Sequence, residues 1–195
     1  MKKPDTIFLA SANAHKIEEL EQVLSPLGID LKSTLDYPEA EEVEEDQPDL
    51  QGNALKKAQF WYNKTGLPSI SDDTGLEVDA LDGAPGVFSA RYAGDNPTYN
   101  DNVNKLLTEL KGQSDRSAQF RTVIAFVDGE NEYFFEGICR GRIIDEKRGD
   151  KGFGYDPVFV PEGYEETFAE LNSEEKNKIS HRGRAVQKFI EFLQK

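Results

Sequence analysis

The chain has 195 residues, 37% of them hydrophobic and 10% aromatic, which is enough apolar material for a buried core and excludes a disordered polypeptide. Its formal net charge of -14 repels nucleic acid and anionic lipid at long range, and no basic run exceeds Lys56-Lys57. A single cysteine, Cys139, excludes an internal disulfide and a Cys-x-x-Cys metal site.

The first apolar stretch, Thr6 to Ala10, reads as a buried strand and is too short for a signal peptide, and no run approaches the roughly 20 residues of a membrane span. A soluble, cytoplasmic protein with no membrane and no nucleic-acid partner is expected. Ser11 to Lys16 reads as a loop. From Ile17 the apolar positions Ile17, Leu20, Leu24 and Leu27 recur at helical spacing, closed by Pro26 and Gly28. Ile29 to Thr34 reads as a second strand, and this strand–helix–strand order argues for an α/β or mixed fold.

An acidic loop follows, then a helix from about Asp49 to Thr65 with Leu50, Ala54, Ala58 and Trp61 on one face and Gly66 at its end. Two short strands, Pro68 to Ser71 and Leu76 to Leu81, are predicted on either side of Asp72-Asp73-Thr74-Gly75. Beyond a glycine-rich loop, Thr98 to Lys111 is a predicted helix with Val103, Leu106, Leu107 and Leu110 inward. Phe120 to Val127 and Tyr133 to Ile143 form a predicted hairpin across Asp128-Gly129. A last helix is expected from Ser180, burying Ala185, Val186, Phe189 and Leu193. With no repeats, low-complexity tract or Gly/Ser linker, residues 1–195 are read as a single domain, possible as two lobes.

Several segments could carry chemistry. Ser11-Ala12-Asn13-Ala14-His15-Lys16 sits between a strand and a helix, where backbone N–H groups, a hydroxyl, an amide and an ammonium could cradle phosphate; it is not a Walker loop. The run Glu39, Glu41, Glu42, Glu44, Glu45, Asp46 and Asp49 is either a solvated charged face or a source of one or two Mg²⁺ ligands. Asp72 and Asp73 are adjacent carboxylates between apolar segments, where burial without a cation or donors is costly, so metal or acid–base work is a live reading. Gly83 to Gly94 describes a shaped loop, and Gly152-Phe153-Gly154-Tyr155-Asp156-Pro157 lets backbone and an aromatic face approach a planar ligand. Lys176 and the His181-Arg182-Gly183-Arg184 start of the last helix place cations where the helix dipole disfavours them, which points to an anionic or acceptor-rich partner, with Ser180 as a cap.

Taken in order, SANAHK, SDDTGLEVDAL, GAPGVFSARYAG, FGYDPVF and EEKNKISHRGRA resemble the inosine triphosphate pyrophosphatase family in its bacterial form. The resemblance runs from the first strand to the last helix. It implies a mixed, curved β-sheet with flanking helices, two lobes around a nucleotide groove, and a homodimer. It also implies Mg²⁺-dependent hydrolysis of dITP, ITP and XTP to monophosphate and pyrophosphate. By the same resemblance, the Ser11–Lys16 segment and Lys57 hold phosphates, with Ser11, Asn13 and Lys16 foremost. Asp73 binds Mg²⁺ and serves as or orients the general base, with Asp72 beside it and Thr74 on the substrate. Phe153 stacks on the base, with Gly154, Tyr155 and Asp156 lining the pocket; Lys176, His181 and Arg182 contact the nucleotide, the last two near the purine six-oxo group. Glu44 is the expected second metal ligand, chosen on its spacing from Asn53-Ala54, with Glu45 and Glu39 as alternatives. The chain departs from the resemblance at Gly52-Asn53-Ala54, where many members of that family carry Glu-Asn-Ala, so any role of that glutamate is absent or displaced here. Two other readings stay open: a Maf-like pyrimidine nucleotide pyrophosphatase, and a catalytically silent nucleotide-binding regulator.

Overall fold

A computed structural model describes residues 3–37, 39, 43–129 and 131–195, the side chain of His15 excepted. The chain opens with strand β1 (Thr6–Leu9), helix α1 (Ala14–Leu24) and strand β2 (Asp30–Ser33), then helix α2 (Leu50–Thr65), the long strand β3 (Ser69–Val78), the short β4 (Pro85–Gly86) and helix α3 (Tyr99–Glu109). Strands β5 (Ser117–Asp128) and β6 (Asn131–Ile143), the short β7 (Phe159–Pro161), and helices α4 (Ser173–Ile179) and α5 (His181–Leu193) follow. Hydrogen-bonded neighbours run β2-β1-β3-β5-β6-β7, with β4 on β3. Pairing is parallel for β1 with β2 and β3, and antiparallel for β3 with β4 and β6 with β7, so the sheet is mixed, as expected.

The predicted helices and hairpin are present, with three changes. α1 starts at Ala14 rather than Ile17, because the Asn13 side chain accepts from the Lys16 amide (3.3 Å) and caps the helix three residues early. The segment before the last helix is itself helical (α4), and Ser180 breaks the two apart with an extended backbone while its Oγ caps α5 by accepting from Gly183 N (3.1 Å). The largest change is β3. The two short strands expected around Asp-Asp-Thr-Gly are one continuous ten-residue strand. Gly75 serves close approach there: a Cβ on it would lie 2.6 Å from the Gly86 carbonyl oxygen of β4.

The chain forms two compact units: residues 1–73, 123–136 and 185–195, and residues 74–122 and 137–184. In the first, alternation along β1 and β5 sends Ile7, Leu9, Ile124 and Phe126 to a core with Leu20, Leu24, Phe189 and Leu193 of α1 and α5. The other face meets α2, where Ala54 and Ala58 pack on Ala125 and Val127, and Phe8 stacks on Trp61 at 4.5 Å. The second unit has its own core, in which Val103 and Leu106 of α3 and Leu110 just after it join Leu76, Val78, Phe120, Phe159 and Phe168. Cys139 is buried there, and burial pushes its thiol up to about 11, Glu162 adding to the rise and Arg184 opposing it, so it is an inert packing residue.

Candidate active site

In the first unit the candidate residues gather around the middle of β3. Because a strand alternates its side chains, Asp72 and Asp73 leave it on opposite faces. Asp72, buried, accepts from Lys16 Nζ of α1 at 2.7 Å. Asp73, half-buried, accepts from Asn53 Nδ2 of α2 at 3.1 Å. Lys57, one turn further along α2, donates to the Asp72 carbonyl oxygen (3.0 Å) and to Glu45 Oε1 (2.5 Å). The two carboxylates thus take donors from different helices, Lys16 of α1 and Asn53 of α2.

The charge balance is close. Burial by itself would lower the Lys57 ammonium, but the charges of Glu45, Asp73 and Asp72 and the hydrogen bond to Glu45 outweigh it and hold the pKa above the usual lysine value. Glu45, Asp72 and Asp73 against Lys16 and Lys57 leave one net negative charge. In the Ser11–Lys16 segment, Ser11 Oγ accepts from Asn13 N (3.1 Å), and Ala12, Asn13 and Ala14 are exposed at the start of α1. The His15 side chain, Glu41 and Glu42 lie outside the described residues.

Glu44 is exposed, whereas Glu45 is turned onto Lys57, so the geometry favours the alternative over the expected ligand. No group of three or more His, Cys, Asp or Glu side chains suited to a metal occurs among the described residues. A site with one or two carboxylates suits Mg²⁺, which takes its remaining ligands from water and phosphate.

Asn53 is a functional candidate that the sequence reading missed. Fully buried, it donates to Asp73 while its Oδ1 accepts from the Gln47 backbone N–H at 2.9 Å, tying the acidic loop to the aspartate. Its signal was visible as the Asn of the Gly52-Asn53-Ala54 segment.

The second unit holds the remaining candidates. Asp156, 4% exposed, accepts from Lys176 Nζ (2.5 Å) and from Phe153 N (2.9 Å), which fixes the Gly152–Asp156 loop. Gly152 is required: its φ is +72°, and a Cβ there would lie 2.0 Å from Asp156 Oδ2. Phe153 is exposed, with Lys176 Nζ 5.4 Å from its ring centroid and Tyr99 6.0 Å away, so one aromatic face stands ready for stacking. Gly154 follows it with a positive φ.

Tyr155 differs from expectation. Its ring is buried in the core and its hydroxyl donates to the Ser89 carbonyl (2.8 Å), so only its backbone is available to a ligand; burial pushes its phenol up. At the start of α5, His181 is buried and stacked on Phe120 (centroids 4.8 Å apart), and Arg182 beside it is half-buried. Thr74 Oγ1 lies 2.7 Å from Thr122 Oγ1, which lies 2.6 Å from His181 Nδ1.

The model of the Ham1 family matches residues 7–192. The chain belongs to the Ham1 family. It is 46% identical over 187 residues to the dITP/XTP pyrophosphatase of Flavobacterium psychrophilum, covering 96% of this chain and 98% of that one. Solved Ham1-family structures share the fold. A HAM1 protein from Coxiella burnetii superimposes with a TM-score of 0.93 at 40% identity, covering 97% of this chain and 98% of that one. A nucleoside-triphosphatase / dITP/XTP pyrophosphatase from Mycobacterium abscessus gives 0.81 at 43%, covering 94% and 97%.

Proposed function

We propose that this chain hydrolyses deaminated purine nucleoside triphosphates, dITP, ITP and XTP, to the monophosphate and pyrophosphate, with Mg²⁺ as the metal. The observation that carries the reading is the split of Asp72 and Asp73 between two faces of one strand: Lys16 neutralises the first, and Asn53 orients the second. Lys16 and Lys57, with Ser11, Asn13 and the amides opening α1, supply donors for the phosphates. Asp73 then takes the proton of a water attacking the α-phosphorus, and pyrophosphate leaves. Mg²⁺, held by Asp73 and Glu45, would screen the phosphate charge and lower the pKa of bound water.

In the second unit Phe153 offers a stacking face for the base, Asp156 holds Lys176 and the loop in place, and His181 and Arg182 read the six-position. Hypoxanthine and xanthine present an acceptor there, adenine a donor. A buried donor donates to the first and is left unpaired by the second, discrimination of roughly 10⁴-fold or more in sites built this way. No helix among the described residues is long and apolar enough to cross a membrane. A homodimer in the cytoplasm completes the proposal, and equilibrium sedimentation would measure the dimer.

The deciding experiment is pyrophosphate release from ITP, dITP, XTP, dUTP, ATP and GTP with and without Mg²⁺. Mg²⁺-dependent release confined to the deaminated purines is expected. A preference for dUTP would favour Maf-like chemistry, and nucleotide binding without release would favour a silent regulator.

A further inference from the structure

The Thr74–Thr122–His181 chain lies within the second unit and is not used by the hydrolytic step. Thr122 is fully buried in β5, so its hydroxyl proton has to be shared among protein groups rather than with solvent. It has one proton and two close neighbours, Thr74 Oγ1 at 2.7 Å and His181 Nδ1 at 2.6 Å. For a neutral ring, with Thr122 donating to one of these two neighbours, the chain can run in two directions. In one, Thr74 donates to Thr122 and Thr122 donates to Nδ1, which puts the ring proton of a neutral His181 on Nε2. In the other, Nδ1–H donates to Thr122 and Thr122 donates to Thr74, leaving Nε2 a bare acceptor. An imidazole nitrogen is a far stronger acceptor than a hydroxyl oxygen, which favours the first arrangement. The short oxygen–nitrogen separation agrees with it.

We infer that Thr122 is a positioning residue for base selection: its buried hydroxyl donates to His181 Nδ1 and fixes the tautomer that presents an Nε2–H donor. This rests on the reading of His181 as a contact to the base. A donor at Nε2 matches a six-oxo acceptor, and an acceptor there would match the amino group of adenine. Thr122 thus governs which purine the ring favours without touching it. Phe120 stacked on one side holds the ring plane, so the tautomer rather than the ring orientation is what Thr122 controls.

The chain has two histidines, His15 and His181, so long-range ¹⁵N–¹H spectra of histidine-labelled protein resolve both tautomers, with a His15→Gln variant giving the assignment. Wild-type His181 is expected as the neutral Nε2–H form. Thr122→Val, which keeps the shape and the β-branched preference for strand, should give a mixture of tautomers. It should also lower kcat/KM for ITP about tenfold while leaving ATP nearly unchanged, as expected for one lost hydrogen bond at a buried site. Thr122→Ser should restore both, which rules out a packing effect. A wild-type His181 protonated on Nδ1 alone, or a folded Thr122→Val with an unaltered tautomer, would overturn the inference. So would a shifted tautomer with an unchanged ITP-to-ATP ratio. Failure of the proposed activity itself would show separately, as wild-type protein releasing no pyrophosphate.

Discussion

Asp72 and Asp73 are neighbours in the chain with opposite surroundings. Asp72 accepts from the Lys16 ammonium, whereas Asp73 accepts from the Asn53 amide. Asp73→Asn should therefore leave the melting temperature close to wild type and reduce turnover by about 10²- to 10⁴-fold, the usual worth of a general base. Pyrophosphate release measured beside thermal melting checks both, and near-normal turnover in the folded variant would remove Asp73 from the chemistry. Lys57 carries a second prediction. Its pKa is raised by the three carboxylates around it, so its contribution to stability is complete below the ordinary value of 10.5 and is lost only as pH climbs through the higher folded value. Lys57→Met should lower unfolding free energy by about 1–2 kcal/mol, by the same amount from about pH 7 to about pH 9. It should also tighten Mg²⁺ binding in the absence of nucleotide, because a competing cation has gone. Denaturant titration and calorimetry measure the two effects; a stability difference that vanishes by about pH 9 would contradict the raised pKa. At this scale the sequence was informative about residue types and blind to partners. Lys16, Lys57 and both aspartates were legible. That Glu45 is the one turned onto Lys57 was not, since an acidic run has no period to say which side chain turns inward. Thr122 left one trace: a polar residue on the same strand face as Ile124 and Phe126.

Among the elements, the helices announced themselves because burying one face every 3.6 residues leaves a strong pattern. β3 did not. Asp-Asp-Thr-Gly has the composition of a turn, yet parallel pairing with β1 on its first half and antiparallel pairing with β4 on its second keep the backbone extended. Pairing overrode local preference. Helix α2 shows the reverse, a residue that looks weak for its element but fits its neighbour. Gly52 lies in the first turn, where Ala would ordinarily add up to about 1 kcal/mol. A Cβ there, however, would sit 2.8 Å from Gln47 Cβ, in the loop that also carries Glu45. Gly52→Ala is expected to give no gain in melting temperature and to raise the Mg²⁺ concentration for half-maximal activity several-fold. A variant both more stable and unchanged in its Mg²⁺ requirement would show that this loop does not position the metal ligands.

For the whole molecule, a net charge of -14 sets the long-range terms on which a triphosphate must approach. Protein and substrate repel until the lysines are close. Adding salt from about 0.01 M to about 0.15 M shortens the screening length from roughly 30 to 8 Å and should raise both melting temperature and kcat/KM at fixed free Mg²⁺. A steep fall in kcat/KM with salt would mean that a basic field captures the substrate after all. The other molecular-scale feature is the order of the segments. The unit bearing Lys16, Lys57 and Asp73 also contains residues 123–136 and 185–195, and its core includes Phe189 and Leu193. On the ribosome, the first strand and helix must therefore wait with Ile7, Leu9 and Leu24 uncovered until Leu193 has been translated and has cleared the exit tunnel. The segment from β1 to α1 is thus made early but completes its core late, and a nascent chain stalled before α5 presents an open apolar face to chaperones.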